Sequence, residues 1–294
     1  MSIPISCPYC QRPYRLKDKF SGKRVKCRDC AKEFQVPAAS APPVELSEAG
    51  DPIYRHQQPA IEGELVFEPT PFAEAIERHV RRTVGPFDNV FHELISTDIH
   101  LDLLVVPPSG VEPSESHPLG GTHWTIVTSG MSSRPMSLPA GVSTQQRYAE
   151  LMVSLPADWP GLREGGFDSE AMNDEDNWWP IRWLKNLARL PHMYQTFLAP
   201  GHTVPSDDPP APYSARTRQC CMLVWPSLLQ PNSAKLMIND DICINFYALW
   251  PIYLEEMNAK LKQGTGVLLK KFDALELYDL IQEDRKNTCR RWPF

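Results

Sequence analysis

DIHLDLLVV, residues 98 to 106, holds the clearest structural signal in the chain. Ile99, Leu101, Leu103 and Val105 alternate with their neighbours, and a period of two puts alternate side chains on one face of a β-strand. Four later stretches repeat this pattern, each bounded by Pro, Gly or Ser, which mark turns. They are HWTIVTSG (123–130), RYAELMVSL (147–155), QCCMLVWP (219–226) and ICINFYALW (242–250).

Three other stretches have helical spacing. In PFAEAIERHVRRTVG, residues 71 to 85, apolar residues recur every four positions, which predicts an amphipathic helix that ends at Gly85. A second helix is predicted to begin near Asn177, with Pro180 in its first turn, and to end before Pro191. A third covers about 251 to 262. Strands around a few helices, without strict alternation of the two, predict an α+β fold with a mostly antiparallel sheet.

The composition indicates a globular protein with two parts of opposite charge. Hydrophobic residues make up 42 % of the 294 residues, so the chain can bury a sizeable core. Residues 1–37 carry nine Lys and Arg against three Asp and Glu. The whole chain carries 30 against 36, which leaves 21 against 33, or a net charge of −12, for the remainder. An acidic body repels nucleic acid and anionic lipid, so such partners would have to meet the N-terminal part.

Four cysteines near the N-terminus have the spacing of a zinc site. Cys7 and Cys10 form one CxxC pair, Cys27 and Cys30 form a second, and 16 residues separate the pairs. Each pair is expected to form a tight turn, and the residues between the pairs a hairpin that joins them. Because protein sulfur fills all four positions, the predicted zinc is structural. Metal binding would supply most of the stability of so short a segment.

Other interpretations of this stretch stay open. A redox-active CxxC would suit one pair, although not two at this spacing. The nine basic residues, with Tyr14 and Phe20 among them, could bind phosphates and stack on bases. The simpler interpretation is that they offset the negative charge of four thiolates around Zn²⁺, and we expect no nucleic-acid partner.

A linker is predicted after the zinc ribbon. PAASAPPVELSEAGDP, residues 37 to 52, is rich in Pro, Ala and Ser, which is typical of a semi-extended segment. We therefore predict a zinc ribbon over 1–37, a linker over 38–68, and a larger domain over 69–294. No signal sequence opens the chain and no apolar stretch approaches the ~20 residues of a membrane span, so we expect a cytoplasmic protein.

The larger part offers few patterns that would carry chemistry. FHELIS, residues 91 to 96, departs from the HExxH zinc motif because Ser96 replaces the second histidine. His100 and Asp102 lie two apart in a predicted strand and could orient one another, although a polar surface pair is the simpler interpretation. We therefore predict no catalytic residue and no enzyme activity. Three other cysteines in apolar strands are predicted core thiols, namely Cys220, Cys221 and Cys243.

One aromatic stretch favours a protein partner. DEDNWWPIRWL sets Trp178 and Trp179 beside Asp174, Glu175 and Asp176. Aromatic residues beside charges are typical of binding hot spots, so these five are the candidate partner-binding residues. Tryptophan at helical spacing is also common in protein cores, and that alternative stays open.

Five stretches of the larger part follow one another over about residues 70 to 255: FHELISTDIHLDLLVVPPS, HWTIVTSGMSSRPM, RYAELMVSLPADWP, WWPIRWLKNLARLPHMYQTFLAPGHTVP and CMLVWP. In this order they resemble the Suppressor of Fused domain family, and a bacterial-type member in particular. The resemblance implies a sandwich fold without enzymatic activity. In animals the family sequesters transcription factors of the Hedgehog pathway, and bacterial relatives have been proposed as immunity proteins. The first 35 residues resemble small zinc ribbons of bacterial proteins.

These observations predict a non-enzymatic protein-binding module, and a toxin-neutralising immunity protein as its most concrete form. The ribbon is then an accessory, and the acidic body would attract a basic toxin. The alternative is a nucleic-acid or transcription-associated regulator that docks through the basic ribbon. We expect no membrane partner and no small-molecule substrate.

Overall fold

The computed structural model describes residues 2–17, 20, 23–36, 45–56, 65–66, 71–93, 96–97, 99–115, 117–164 and 166–290. The chain forms two units. One comprises Met1–Ser47 and Pro52–Tyr54, and the other comprises Glu48–Asp51 and Arg55–Phe294. The predicted start of the larger domain near Pro69 lies outside the described residues.

Short antiparallel strand pairs make up the N-terminal unit. They are β1 (Ser2–Ser6) with β2 (Pro13–Lys17), β3 (Arg24–Lys26) with β4 (Glu33–Gln35), and β5 (Glu45–Leu46) with β6 (Pro52–Ile53). The buried core consists of Cys7, Cys27 and Phe34 with a few partly buried neighbours. So small an apolar interior supplies little hydrophobic stabilisation.

Residues 45–53 of the predicted linker are folded, because β5 and β6 pair across a turn. Within the larger unit, the backbone N–H of Ala49 donates to the carbonyl oxygen of Leu261 at 3.0 Å. The carboxylate of Asp51 lies 3.4 Å from the amino group of Lys260, whose side chain is buried and needs an anionic partner. A semi-extended tether therefore does not describe this part of the chain.

One eight-stranded sheet organises the larger unit. Its strands are β8 (Asn89–Phe91), β10 (Asp102–Val106), β11 (His123–Ser129), β12 (Tyr148–Pro156), β15 (Thr203–Pro205), β16 (Gln219–Trp225), β17 (Lys235–Met237) and β18 (Cys243–Tyr253). The order is β15-β16-β18-β12-β11-β10-β8, and β17 also pairs with β18. All neighbours are antiparallel except β12 and β18. Two small pairs lie outside the sheet, β7 (Leu65–Val66) with β9 (Ser96–Thr97) and β13 (Leu162–Arg163) with β14 (Gly166–Phe167).

Helices cover both faces of this sheet. Leu184 and Leu187 of the second helix share a core with Leu103 of β10, whereas Ile76 of the first helix shares the opposite core with Leu104. Both faces of β10 are therefore buried, and the predicted α+β class with a mostly antiparallel sheet is confirmed. The four helices are α1 (Ala73–Thr83), α2 (Glu175–Met193), α3 (Leu254–Gln263) and α4 (Thr265–Asp273).

Several predicted boundaries were wrong by a few residues. The helix α2 begins earlier than Asn177, because the Asp174 side chain accepts a hydrogen bond from the Asp176 N–H at 3.0 Å and caps it. It also continues past Pro191, since the N–H of Tyr194, three residues after the proline, donates to the carbonyl oxygen of Leu190. The predicted third helix began too early because β18 continues through residue 253.

A fully buried carboxylate joins the two central strands β11 and β12. The Glu150 oxygens accept hydrogen bonds from the hydroxyl of Thr128 (2.5 Å) and the backbone N–H groups of Gly130 (3.0 Å) and Met131 (3.3 Å). Ser132 donates twice, through its N–H (2.9 Å) and its hydroxyl (2.6 Å). Burial raises the pKa of Glu150, and these donors oppose the rise. Because every partner is a donor, the site requires two acceptor oxygens.

We expect Glu150→Gln to lower the free energy of unfolding by at least about 2 kcal/mol, because the amide N–H₂ would face donors and leave buried groups unpaired. Urea denaturation monitored by circular dichroism measures this change. Glu164→Gln, an exposed control, should shift the free energy of unfolding by less than about 0.5 kcal/mol. Equal midpoints for the two variants would contradict the structural role of Glu150.

A second buried carboxylate holds the C-terminal segment against the start of α3. Glu256 is fully buried and accepts hydrogen bonds from Arg285 at 2.6 and 2.9 Å, and from the N–H groups of Tyr253 (3.0 Å) and Thr288 (2.9 Å). Burial alone would raise the pKa of Glu256, but Arg285 and the other donors outweigh it and hold the pKa below its usual value.

We expect Arg285→Ala to destabilise the protein by about 3 kcal/mol or more at pH 7, because it leaves a buried carboxylate without its cation. A lowered pKa in the folded state gives stability that is present above the unfolded pKa of about 4.3 and is lost as the pH falls through the folded pKa. The variant should therefore lose less stability on acidification than the parent. Urea denaturation at several pH values from 7 to 3 measures the free energy of unfolding, with the exposed Arg218→Ala as control. If Arg285→Ala and the parent lost the same free energy of unfolding on acidification, the expectation would be contradicted.

Candidate metal centre and partner-binding surface

Each CxxC pair forms the turn of its own hairpin. Residues Cys7–Cys10 connect β1 to β2, and residues Cys27–Cys30 connect β3 to β4. The expectation that one hairpin between the pairs would join them was therefore wrong. Two separate hairpins instead present their turns to one point, so each turn contributes two sulfurs.

The two turns have the same backbone geometry. In the first, the N–H of Gln11 donates to the carbonyl of Cys7 at 2.8 Å, and in the second the N–H of Ala31 donates to Cys27 at 3.1 Å. Gln11 and Ala31 have φ of 58° and 59°, the left-handed region that non-glycine residues rarely adopt. The residue that follows each CxxC pair therefore has the same uncommon backbone conformation.

The four sulfur atoms lie within 4.8 Å of one another. Sγ of Cys7 is 3.7 Å from Sγ of Cys30, and Sγ of Cys10 is 3.6 Å from Sγ of Cys27. Tetrahedral ligands at a zinc–sulfur distance of about 2.3 Å would lie about 3.8 Å apart. The donor set and its spacing therefore fit a metal ion, and no other group of His, Cys, Asp and Glu in the described residues meets the same criterion.

Tyr14 is half-buried and lies beside this centre. Its hydroxyl lies 3.1 Å from Sγ of Cys27 and donates a hydrogen bond to Asp29. The ring of Tyr9 is 56 % accessible, and the Lys32 ammonium lies 4.9 Å from its centre.

The five candidate partner-binding residues do not share one environment. Asp174 and Glu175 are exposed, Asp176 is half-buried, and all three lie at the start of α2. Trp178 is half-buried, whereas Trp179 is fully buried, stacked on Tyr213 and hydrogen-bonded to Glu283. Trp179 is therefore a core residue, because successive side chains of a helix point about 100° apart and only one of the two can face solvent.

Trp178 lines a groove of about 580 Å³ that sequence reasoning did not predict. Val90 and Phe91 of β8 form one side, Phe167 of β14 lies nearby, and Glu175 and Trp178 of α2 form the other side. Three segments far apart in the chain meet here. Their alternating or helical patterns gave no signal that they would form one surface.

His100 and Asp102 lie in a larger polar network. Nε2 of His100 is 3.2 Å from Oδ1 of Asp102, as the spacing predicted, and Nδ1 of His92 lies 3.2 Å from the same oxygen. Ser96 Oγ is 3.1 Å from His100 Nδ1, but it is buried and donates to Glu93 at 2.9 Å. Cys220, Cys221 and Cys243 are buried, as predicted.

The larger unit, an eight-stranded sheet with helices on both faces, is the part of the chain that matches a known family. The family model described as Suppressor of fused protein (SUFU) matches residues 97–286. The chain therefore belongs to the Suppressor of Fused family, as its sequence motifs predicted. A comparison with curated proteins found no significant match.

Solved structures show the same fold. A SUFU homologue from Neisseria gonorrhoeae FA 1090 is 16 % identical, with a TM-score of 0.50, covering 75 % of this chain and 98 % of that protein. The Sufu–Fu complex matches at 14 % identity and a TM-score of 0.51, covering 75 % and 93 %. Drosophila Suppressor of Fused matches at 14 % and 0.50, covering 76 % of this chain and 52 % of that protein.

Among the described residues, no helix combines the length and apolar character needed to cross a bilayer.

We expect the purified protein to contain one zinc ion per chain, because the four sulfurs fit a tetrahedral site. Cys27→Ser should reduce the zinc content to a small fraction of that value, whereas Cys289→Ser, which removes a cysteine outside the cluster, should leave it unchanged. Elemental analysis of protein prepared under reducing conditions measures the content. Metal-free parent protein, or equal zinc loss in both variants, would contradict the site.

Proposed function

We propose that this chain is a non-enzymatic protein-binding module, and that its specific role is to neutralise a toxin as an immunity protein. The observation that carries the proposal is the acid-rich surface at the start of α2, which adjoins an aromatic groove on a Suppressor of Fused fold. The Sufu–Fu complex among the similar structures supports a protein as the partner.

Charge indicates the kind of partner. The chain outside residues 1–37 carries a net charge of −12. Such a surface accelerates encounters with a basic protein and disfavours nucleic acid. A toxin that cleaves nucleic acid needs a basic surface to bind its substrate, so it would fit this partner class.

The ribbon is an accessory in this proposal. We retain residues 1–37 as a ribbon with structural zinc on Cys7, Cys10, Cys27 and Cys30, residues 38–68 as the connection, and 69–294 as the binding domain. A second candidate function is docking to nucleic acid through the ribbon. Its support is a set of eight exposed basic side chains, Arg12, Arg15, Lys17, Lys23, Arg24, Lys26, Arg28 and Lys32.

Affinity purification of the tagged full-length protein from its native cell at low salt is expected to recover one basic protein in stoichiometric amount. Its dissociation constant should rise at least about tenfold between 50 and 500 mM salt, because opposite surface charges are screened. Co-expression of the two proteins should relieve the partner's toxicity. Recovery of no such partner, or nucleic-acid binding with a steep salt dependence, would contradict the proposal and favour the second candidate.

A further inference from the structure

The strand β8 lies at one end of the large sheet. In the described part of the chain, the large sheet ends at β8, which pairs only with β10 on its inner side. Alternate residues of a strand direct their backbone N–H and C=O groups to opposite edges. Some of these groups therefore point away from β10, where an additional strand would bond to them.

The groove beside Trp178 runs along this edge. Asn89, Val90 and Phe91 are consecutive, and all three line the groove. Val105 of β10, the strand partner of Asn89, lines the groove as well. The groove therefore extends over the face of the sheet that α2 covers, and it borders the end strand β8.

An aromatic cluster forms the apolar part of the groove. The ring centres of Phe91, Phe167 and Trp178 lie 5.3 to 6.4 Å apart in edge-to-face contacts. Phe91 remains 37 % accessible. The cluster offers a pocket for an apolar side chain at the position where an added strand would place it.

The surroundings of the groove carry unbalanced negative charge. The nearby cations are already paired, Lys185 with Glu93 at 2.7 Å and Arg163 with Asp168 at 2.9 Å, while Arg182 pairs with Glu175. Residues 157–179 contain one base, Arg163, and several acids. Besides Asp168 and Glu175, with which these cations pair, the acids of this region are Asp88, which precedes β8, and Asp158, Glu164, Glu170, Asp174 and Asp176.

We infer that the β8 edge is the docking site for an extended segment of the partner protein, which adds to the sheet as a further strand. The segment alternates apolar residues, which enter the aromatic cluster, with Lys or Arg, which face the surrounding acids. This inference rests on the proposed function and assigns it a surface and a partner chemistry. Backbone hydrogen bonds supply affinity, and the alternate side chains supply specificity.

The test selects a displayed library of random nine-residue peptides on the full-length protein and uses the strongest binder, made synthetically, as the probe. We expect enriched peptides to alternate apolar residues with Lys or Arg. Phe91→Glu should weaken binding of the probe at least about tenfold, since it removes a central aromatic contact. The matched control is Met237→Glu, on the exposed strand β17, which should bind the probe as the parent does.

Two further arms separate binding from folding. Asp88→Lys and Glu170→Lys change exposed side chains, so the fold should persist by circular dichroism while probe affinity falls severalfold at low salt. Two N-methylated forms of the probe are compared, one methylated at its odd-numbered amides and one at its even-numbered amides. Only one form should lose binding, because only one set of amides bonds to the strand edge. No enriched peptide, acidic peptides, or unchanged affinity in Phe91→Glu and Asp88→Lys would overturn the inference.

The captured partner distinguishes the two proposals. If Phe91→Glu retains the partner with parental affinity, the edge is not the docking site, although the protein-binding function stands. If the peptide arms behave as expected but no protein partner is recovered from cells, the site stands and the proposed function fails.

Discussion

Glu150 lies on β12, near the middle of the sheet, and its carboxylate is surrounded by donors from the end of β11 and the turn that follows. A fully buried carboxylate is unfavourable unless hydrogen bonds replace its lost hydration. The backbone of residues 130–132 must therefore adopt the conformation that directs its N–H groups to Glu150. This requirement holds β11 and β12 together, and both apolar cores contain side chains of these two strands.

The two units are stabilised by different means. The larger unit buries apolar side chains on both faces of its sheet, and the polar networks at Glu150 and Glu256 hold the strand ends and the C-terminal segment. The N-terminal unit has a small core built on Cys7, Cys27 and Phe34. So small an apolar interior offsets little of the entropy of ordering the chain, and a metal ion bound by the four sulfurs would add the missing stability.

The candidate binding surface combines an edge strand, a hairpin and a helix start. None of these is unusual alone, because many sheets have an edge and many helices begin with acids. Their juxtaposition places the accessible Phe91 and the half-buried Trp178 beside the end strand of the sheet and the acids at the start of α2. The polar network of Ser96, His100 and Asp102 has the residue types of a hydrolase, and its serine is buried.

The sequence by itself determined the local features. The CxxC spacing placed two sulfurs in each turn, the alternation in residues 99–105 defined one core face, and the ordered motifs indicated the family. These signals are readable because they depend on residues a few positions apart. Only the tertiary structure decided that two hairpins converge on the cysteines, that Trp179 is buried while Trp178 is accessible, and that β8 forms the edge beside α2. Each of these depends on strand pairing and helix rotation, which are set by packing between distant segments.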